Sequence, residues 1–302
     1  MHYRLIRMCR LFGMSGGRQR VRATFWLLEA PDSLSRQSRR DPDGTGLGCY
    51  DEQGHPEVFK APLAAYEDRQ FAEEAREVCS RTFVAHVRYA STGKLTRLNT
   101  HPFQQRERLF AHNGVIEDLP QLERELGPAM RWVKGETDSE RFFALITRET
   151  EEGQDVGQAI RRAASWVAEH LPVFALNLVL ITGSELWALR YPDVHELHVL
   201  ERDAGGARGG RHLDQASARG TIRVRSGDLA SCRAVVVASE RMDEHPEWRA
   251  LEPGELLHVD ADLKTTITRV IDGPPVHQLT LEDLGQAAAS QASTPAGESQ
   301  RS

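Results

Sequence analysis

The sequence has few cysteines, and they follow no metal-binding or disulfide pattern. Cys9, Cys49, Cys79 and Cys232 are the four among 302 residues, and no two of them form a Cys-x-x-Cys pair. This spacing argues against a structural zinc site and against a disulfide framework. It is the usage expected of a protein in a reducing cytoplasm, so we expect a cytoplasmic protein.

Long apolar runs and runs of like charge are also lacking. The longest apolar stretch, at 173–182, has the length of a strand and not of a membrane span. The first seven residues, MHYRLIR, are basic but have no apolar region, so they do not form a secretory signal. The net charge is only −6 and charges of both signs are scattered, which argues against nucleic acid or a membrane as partner.

The remaining pattern is a mixture of strands and helices. We predict a buried strand at 82–90 and hairpins in the segments around 47–61, 174–190 and 255–271. We predict helices at 22–40, 67–79 and 158–170, and another beginning at Thr137. The order indicates an α+β fold with many antiparallel pairings in one domain. We expect a mobile insertion at 203–220 and a disordered tail at the C-terminus.

The first residue with catalytic potential is Cys9, which directly follows Met8. If translation begins at Met8 and that methionine is removed, Cys9 carries both a thiol and a free α-amine. The α-amine of a chain titrates near ~8, so it could act as a base for the thiol, whereas an amide nitrogen could not. The alternative is that Cys9 is a small apolar residue in a first strand.

A pair of donors for an oxyanion is present at Asn113 and Gly114. An asparagine amide and a glycine backbone N–H can converge on one oxygen, and one such donor is typically worth ~3–4 kcal/mol of transition-state stabilisation. The same dipeptide is also the commonest tight hairpin turn, and it joins two short apolar runs here. Both interpretations are compatible with the sequence.

Two charged residues could hold the ends of an amino acid. Arg88 lies on an otherwise apolar strand, where a guanidinium needs a partner and matches a carboxylate in bidentate fashion. Thr137 and Glu140 form a capping box, which predicts that Asp138 lies on the first exposed turn of a helix. Asp138 could bind a substrate ammonium or simply complement the helix dipole, and Arg88 could equally form a structural salt bridge.

Three histidines, His86, His101 and His112, suggest a metal hydrolase as a further alternative. Their spacing fits no standard ligand pattern, and no carboxylate lies among them at helical offsets. We therefore expect no metal and no other cofactor, and assign His86 and His112 to the orientation of strands.

Five short motifs occur in an order that resembles the class II glutamine amidotransferases, which are hydrolases with an N-terminal cysteine nucleophile. They are MCRLFG at 8–13, AHVRYASTG at 85–93, NTHPF at 99–103, AHNG at 111–114 and GETDSE at 135–140. ASE at 238–240, Trp248 and EPGE at 252–255 resemble the closing segment of the family. The resemblance implies a four-layer α-β-β-α sandwich of two antiparallel sheets.

The resemblance also implies roles for particular residues. Cys9 would be the nucleophile, with its α-amine as general base, and Asn113 and Gly114 would form the oxyanion hole. Arg88 would hold the α-carboxylate of glutamine and Asp138 its α-ammonium. Ser91 and Thr92 would line the pocket behind Arg88.

The implied reaction is cleavage of glutamine or a γ-glutamyl amide through a thioester to glutamate, with release of ammonia or an amine. We expect residues 1–8 to be a misassigned start or a propeptide, 9–275 to be the amidotransferase domain, and 276–302 to be a tail. The chain resembles stand-alone members such as the γ-glutamyl amidohydrolase of ergothioneine biosynthesis, and a separate synthase subunit is the other possible partner. A non-catalytic relative that binds a glutamyl ligand or a partner synthase is the alternative function.

Overall fold

Strands account for most of the regular structure. The structure is a computed structural model that describes residues 9–39, 43–88, 95–204, 215–216, 223–224 and 232–284. The strands are β1 (Arg10–Ser15), β2 (Gly44–Tyr50), β3 (Pro56–Ala61), β4 (Thr82–Arg88), β5 (Phe103–Gln105), β6 (Arg108–Ile116), β7 (Pro172–Ile181), β8 (Leu186–Leu189), β9 (His198–Arg202), β10 (Gln215–Ala216), β11 (Arg223–Val224), β12 (Ala234–Ala238), β13 (Arg249–Ala250), β14 (Glu255–Val259), β15 (Thr265–Arg269) and β16 (His277–Gln278).

Within the described residues these strands form two seven-stranded sheets and one small ribbon of β10 and β11. The first sheet has the order β13-β9-β12-β1-β4-β2-β3 and is antiparallel throughout. The second has the order β15-β14-β8-β7-β6-β5, also antiparallel, with β16 added in parallel beside the start of β7. The strand that begins one residue after Cys9 is therefore the central strand of the first sheet.

The helices cover the outer faces of the two sheets. They are α1 (Leu34–Gln37), α2 (Arg69–Glu77), α3 (Leu119–Leu126), α4 (Asp138–Glu151) and α5 (Val156–His170). Each of the last four begins after an Asp or Thr whose side chain accepts a hydrogen bond from the N–H three residues on. Such caps satisfy one of the free donors of a first helical turn, so short polar residues mark these helix starts in the sequence.

Three apolar clusters lie at the three interfaces between these layers. Leu11, Val179 and Leu257 belong to the cluster between the two sheets. A second cluster packs α3, α4 and α5 on the second sheet, and a third packs α2 and the segment 25–34 on the first sheet. The predicted α+β fold, a four-layer α-β-β-α sandwich, is therefore confirmed.

One predicted helix is wrong. In residues 22–39, the described part of the predicted helix 22–40, the chain forms a five-residue π-helical turn, Phe25–Glu29, followed by the four-residue α1. Pro31 lies between the two, and because proline has no N–H it cannot continue a helical hydrogen-bond pattern. The apolar residues of this segment still face the first sheet, and Trp26 is fully buried.

Some predictions fall on residues that the structure does not describe. Residues 1–8, most of the 203–220 insertion and the tail from residue 285 lie outside the described residues. Regular structure does continue past residue 275, because β16 pairs with Pro172 and Val173 of β7.

The register of β6 against β7 has a steric requirement at Gly114. A Cβ added at this position would lie 1.7 Å from the carbonyl oxygen of Ala175 on β7. We predict that Gly114→Ala lowers the free energy of unfolding by about 3 kcal/mol, at the upper end of what overpacking costs, because the backbone must shift to relieve the overlap. Urea unfolding of the purified protein measures this loss.

The matched control is Gly157→Ala in α5, where a new Cβ would meet no atom closer than 3.3 Å. This change should be neutral or stabilise by up to ~1 kcal/mol, because alanine favours a helix over glycine. Equal stability of the two variants would contradict the assigned register.

Candidate active site

Cys9 lies at one end of the gap between the two sheets. It precedes β1 directly, is partly buried, and its thiol forms no disulfide. Its carbonyl oxygen accepts a hydrogen bond of 2.9 Å from Nδ2 of Asn113, which is 104 positions away on the second sheet. This bond places the asparagine amide beside the cysteine.

Asn113 and Gly114 lie inside a strand and do not form a turn. They are part of β6, where Asn113 is paired with Asn177 and Gly114 with Leu176 of β7. The hairpin-turn interpretation is therefore wrong. At Gly114, β7 approaches β6 too closely for a side chain. Asn113 faces the first sheet, where its amide contacts Cys9.

Arg88 is the last residue of β4, the strand next to β1. Val87 pairs with Arg10, so Arg88 lies near Cys9. Burial lowers the pKa of the Arg88 guanidinium, while the nearby charges of Cys9, Asp43 and Asp138 oppose that lowering. A guanidinium matches a carboxylate in bidentate fashion, so Arg88 can bind a carboxylate at this place.

The prediction that Asp138 lies on an exposed turn is wrong. Asp138 is only 7% exposed, because the first turn of α4 packs against the end of β6. Its Oδ2 accepts a hydrogen bond of 2.9 Å from the backbone N–H of Ile116, two residues after Gly114. The carboxylate is thereby held beside the strand that carries the two proposed oxyanion donors.

Half of the predicted capping box is present. The backbone N–H of Glu140 donates to Oγ1 of Thr137 at 3.2 Å, so Thr137 caps α4 as predicted. The carboxylate of Glu140, however, accepts a hydrogen bond from the N–H of Gly135. It thereby ties the first turn of α4 to the loop that precedes Thr137.

Asn99 connects two of the sequence motifs and was not singled out from the sequence. Its amide is buried and makes a reciprocal pair with Glu136, donating to the carboxylate at 3.2 Å and accepting from the N–H at 2.8 Å. The pair joins the NTHPF segment to the loop that precedes Asp138. The sequence indicated Asn99 only through its place in the NTHPF motif. Its hydrogen-bond partner, Glu136, lies 37 positions away, so no local pattern relates the two residues.

Asp43 is a second residue that sequence reasoning missed. Its backbone N–H donates to the carbonyl of Arg88 at 3.1 Å, and the next residue, Gly44, pairs with Arg88 across the strands. The glycine-rich segment that follows is strand β2. Gly46 in it allows a close approach, since a Cβ there would lie 2.0 Å from the carbonyl oxygen of His101.

Ser91 and Thr92, the residues assigned to the pocket wall, lie outside the described residues. Their assignment stays a prediction. The structure brings together the other five predicted site residues: Cys9, Arg88, Asn113, Gly114 and Asp138.

The three histidines form a buried group next to the site. The rings of His86 and His101 lie 4.2 Å apart, and His112 bonds Oγ of Ser139 at 2.9 Å and the carbonyl of Ala175 at 3.2 Å. Burial lowers the pKa of His86 to about 3 and also lowers the pKa values of His101 and His112. All three rings are neutral near pH 7, and we find no metal-binding group of three or more His, Cys, Asp or Glu in the part of the chain that the structure describes.

The depressed histidine pKa values predict how stability depends on pH. The unfolded chain binds protons at these histidines below pH ~6.5 while the folded protein does not, so stability falls as the pH drops from 7 to 5. We predict that His86→Phe reduces the slope of the unfolding free energy against pH by up to ~1.4 kcal/mol per pH unit. Urea unfolding at several pH values measures this slope.

The control for this prediction is His277→Phe, because His277 is exposed. It should leave the slope as in the wild type. A His86→Phe protein with an unchanged slope would show that His86 titrates normally in the folded state.

Two solved structures have a fold similar to that of this chain. The glutamine phosphoribosylpyrophosphate amidotransferase of Bacillus subtilis matches with a TM-score of 0.61 and 22% identity, over 88% of this chain and 50% of that one. A glutamine aminotransferase class-II domain protein of Silicibacter pomeroyi matches with a TM-score of 0.56 and 20% identity, over 86% of this chain and 99% of that one. The chain therefore shares the fold of these two structures.

The family follows from the sequence. Residues 8–277 match the model of the class-II glutamine amidotransferases, and the chain belongs to that family. In the described residues, no helix combines the length and apolar character that a membrane crossing requires.

Several relatives share part of their length with this chain. It is 28% identical over 246 residues to an uncharacterised protein of Methanocaldococcus jannaschii, covering 75% of this chain and 63% of that protein. It is 28% identical over 229 residues to a probable glutamine amidotransferase of Saccharomyces cerevisiae, covering 61% and 64%. It is 30% identical over 132 residues to the Escherichia coli glutamine–fructose-6-phosphate aminotransferase, covering 44% and 22%. The chain thus spans less than two thirds of each of these relatives.

Proposed function

We propose that this chain hydrolyses the side-chain amide of glutamine or of a γ-glutamyl compound through a thioester on Cys9. The observation that carries the proposal is the 2.9 Å hydrogen bond from the Asn113 amide to Cys9. It brings an oxyanion donor to a cysteine in a protein whose family is named for glutamine amide chemistry.

In the first step the α-amine of Cys9 removes the thiol proton and the sulfur attacks the amide carbon. An amide nitrogen carries two hydrogens, so Nδ2 of Asn113 can hold the Cys9 carbonyl with one and donate the other to the oxyanion. The N–H of Gly114 supplies the second donor. Proton transfer from the ammonium of Cys9 to the leaving nitrogen then releases ammonia or an amine and leaves a thioester.

The second step consumes water. The α-amine removes a proton from water as it attacks the thioester, and collapse of the second oxyanion frees glutamate and restores the thiol. Throughout, Arg88 binds the α-carboxylate of the glutamyl group and Asp138 its ammonium, with Ser91 and Thr92 beside them. All of these groups come from the chain, so the mechanism uses no cofactor.

This mechanism requires Cys9 to be the first residue of the mature enzyme. We therefore propose that residues 1–8 are absent from the active protein and that the catalytic domain extends from Cys9. A non-catalytic relative that binds a glutamyl ligand or a separate synthase subunit is the second candidate, and retention of residues 1–8 would favour it. The intact mass of the protein isolated from cells distinguishes the two.

We predict that protein beginning at Cys9 releases glutamate from glutamine or from a γ-glutamyl amide. Cys9→Ser and Cys9→Ala should abolish this release, because neither forms the thiolate nucleophile. Cys79→Ala is the control, since Cys79 is also a partly buried cysteine outside any disulfide and should be dispensable for activity. A coupled assay for glutamate measures the rates.

No glutamate from correctly processed protein across glutamine and γ-glutamyl amides would overturn the proposal. So would full activity in a protein that retains residues 1–8.

We also predict that Arg88→Lys raises KM for glutamine about 10- to 100-fold with a smaller effect on kcat. Lysine keeps the charge but loses the bidentate contact with a carboxylate, and a hydrogen bond to a charged group is worth ~1.5–3 kcal/mol. Steady-state kinetics measures both constants. Arg124→Lys on the exposed surface of α3 is the control, and an unchanged KM in the Arg88 variant would remove Arg88 from the substrate site.

A further inference from the structure

An open groove lies at the same end of the sandwich as Cys9. It has a volume of about 750 Å³. Most of its lining side chains are apolar, among them Phe174, Val194, Leu279 and Leu281, and Arg269, Asp193 and Glu252 are the charged ones. Cavities of 300–1,000 Å³ with mostly apolar walls are typical of sites for small molecules.

The strand directions place the groove at the catalytic end. Phe174 is near the start of β7, where Val173 pairs with Ile116 at the end of β6. Pro192 and Val194 follow the end of β8, which is antiparallel to β7, and Pro253 precedes β14, which is antiparallel to β8. All of these positions therefore lie at the end of the second sheet where β6 finishes at Ile116, which is also the end nearer to Asn113 and Gly114.

The strand order places the groove on the opposite side of Cys9 from the proposed glutamyl contacts. In the second sheet the groove belongs to β7, β8 and β14, whereas Asp138 is bonded to β6. In the first sheet Arg88 ends β4, on the β6 side of β1. Since β1 packs across β6, β7 and β8, Cys9 lies between the two regions.

A continuous set of contacts connects the groove with the catalytic residues. The ring of Phe174, which lines the groove, packs edge-on against the ring of His195 with centroids 5.0 Å apart. The carbonyl of His195 accepts a hydrogen bond of 3.2 Å from Nδ2 of Asn177, and Asn177 is the strand partner of Asn113. Burial lowers the pKa of His195 to about 4, so its ring is uncharged at neutral pH.

We propose that this groove binds the amine half of a γ-glutamyl amide whose amine carries a bulky apolar group. The inference rests on the proposed function and names the class of its substrate. The scissile carbon of such an amide carries the glutamyl chain on one side and the nitrogen on the other. When Arg88 and Asp138 hold the glutamyl end, the nitrogen and its substituent project away from them, toward Phe174.

The lining favours an amine with an apolar group over ammonia alone. Apolar side chains make up most of the walls, and the charged side chains among them, Asp193, Glu252 and Arg269, are exposed. Burial of an apolar substituent contributes roughly 25 cal/mol for each Å² removed from water. Glutamine has no such substituent, so its turnover should not depend on the groove.

The experiment compares two substrates, glutamine and γ-glutamyl-1-naphthylamide, in processed protein that begins at Cys9. The groove variant is Val194→Glu, and Leu281→Glu is a second one in case the first fails to fold. The matched control is Val276→Glu, because Val276 is exposed but does not line the groove. Val194 is 38% exposed and Val276 66% exposed, so both sites tolerate a charged side chain without burying it.

We expect the groove variants to lower kcat/KM for the naphthylamide at least tenfold while kcat/KM for glutamine stays within twofold of the wild type. The control should change neither. An equal loss of kcat/KM for both substrates, or no loss for either, would overturn the proposal. No loss for either substrate would favour a protein partner as the occupant of the groove.

A binding measurement separates this inference from the proposed function. The full chain carrying Cys9→Ala is titrated with γ-glutamyl-1-naphthylamide by calorimetry, with and without Val194→Glu. We expect the groove variant to weaken binding at least tenfold and Val276→Glu to leave it unchanged. If Val194→Glu leaves the affinity unchanged, the groove assignment is overturned. If Val194→Glu weakens binding but the processed protein hydrolyses no amide, the groove assignment is supported and only the proposed reaction is overturned.

Discussion

The hydrogen bond between the Asn113 amide and the Cys9 carbonyl is the contact on which the candidate site depends. It joins the two sheets at one end, across 104 positions of chain. It can form only when the sheets stack in one register, and the apolar layer of residues such as Leu11 and Val179 provides that stacking. Cores of this kind are close-packed, so a change of packing between the sheets would also displace the asparagine from the cysteine.

The helical layer is tied to the same point. Asp138 begins α4 and bonds the backbone of Ile116, and Asn99 holds the loop just before this helix through Glu136. Gly114 lets β7 approach β6 closely behind the site. Strands, helix and loop thus fix the donors and charged groups relative to one another, which preorganises the site for the chemistry that we propose.

The two sides of Cys9 differ in their physical character. On one side, the guanidinium of Arg88 and the carboxylate of Asp138 are buried close to each other, and the neighbouring histidines are kept neutral by burial. On the other side, neutral His195 and Phe174 lead to an apolar groove. An amide that is charged at its glutamyl end and apolar at its amine end matches this division.

Local patterns in the sequence were sufficient for the hairpins at 47–61, 174–190 and 255–271 and for the cap at Thr137, because turn preferences and apolar periodicity act over a few residues. They also identified Cys9 and Arg88 as candidates from their chemistry. Whether Asn113 and Gly114 form a turn or a strand, and whether Asp138 is exposed or buried, depended on pairing with β7 and packing of α4 on β6. Those contacts join segments far apart in the chain, so only the tertiary structure decided them.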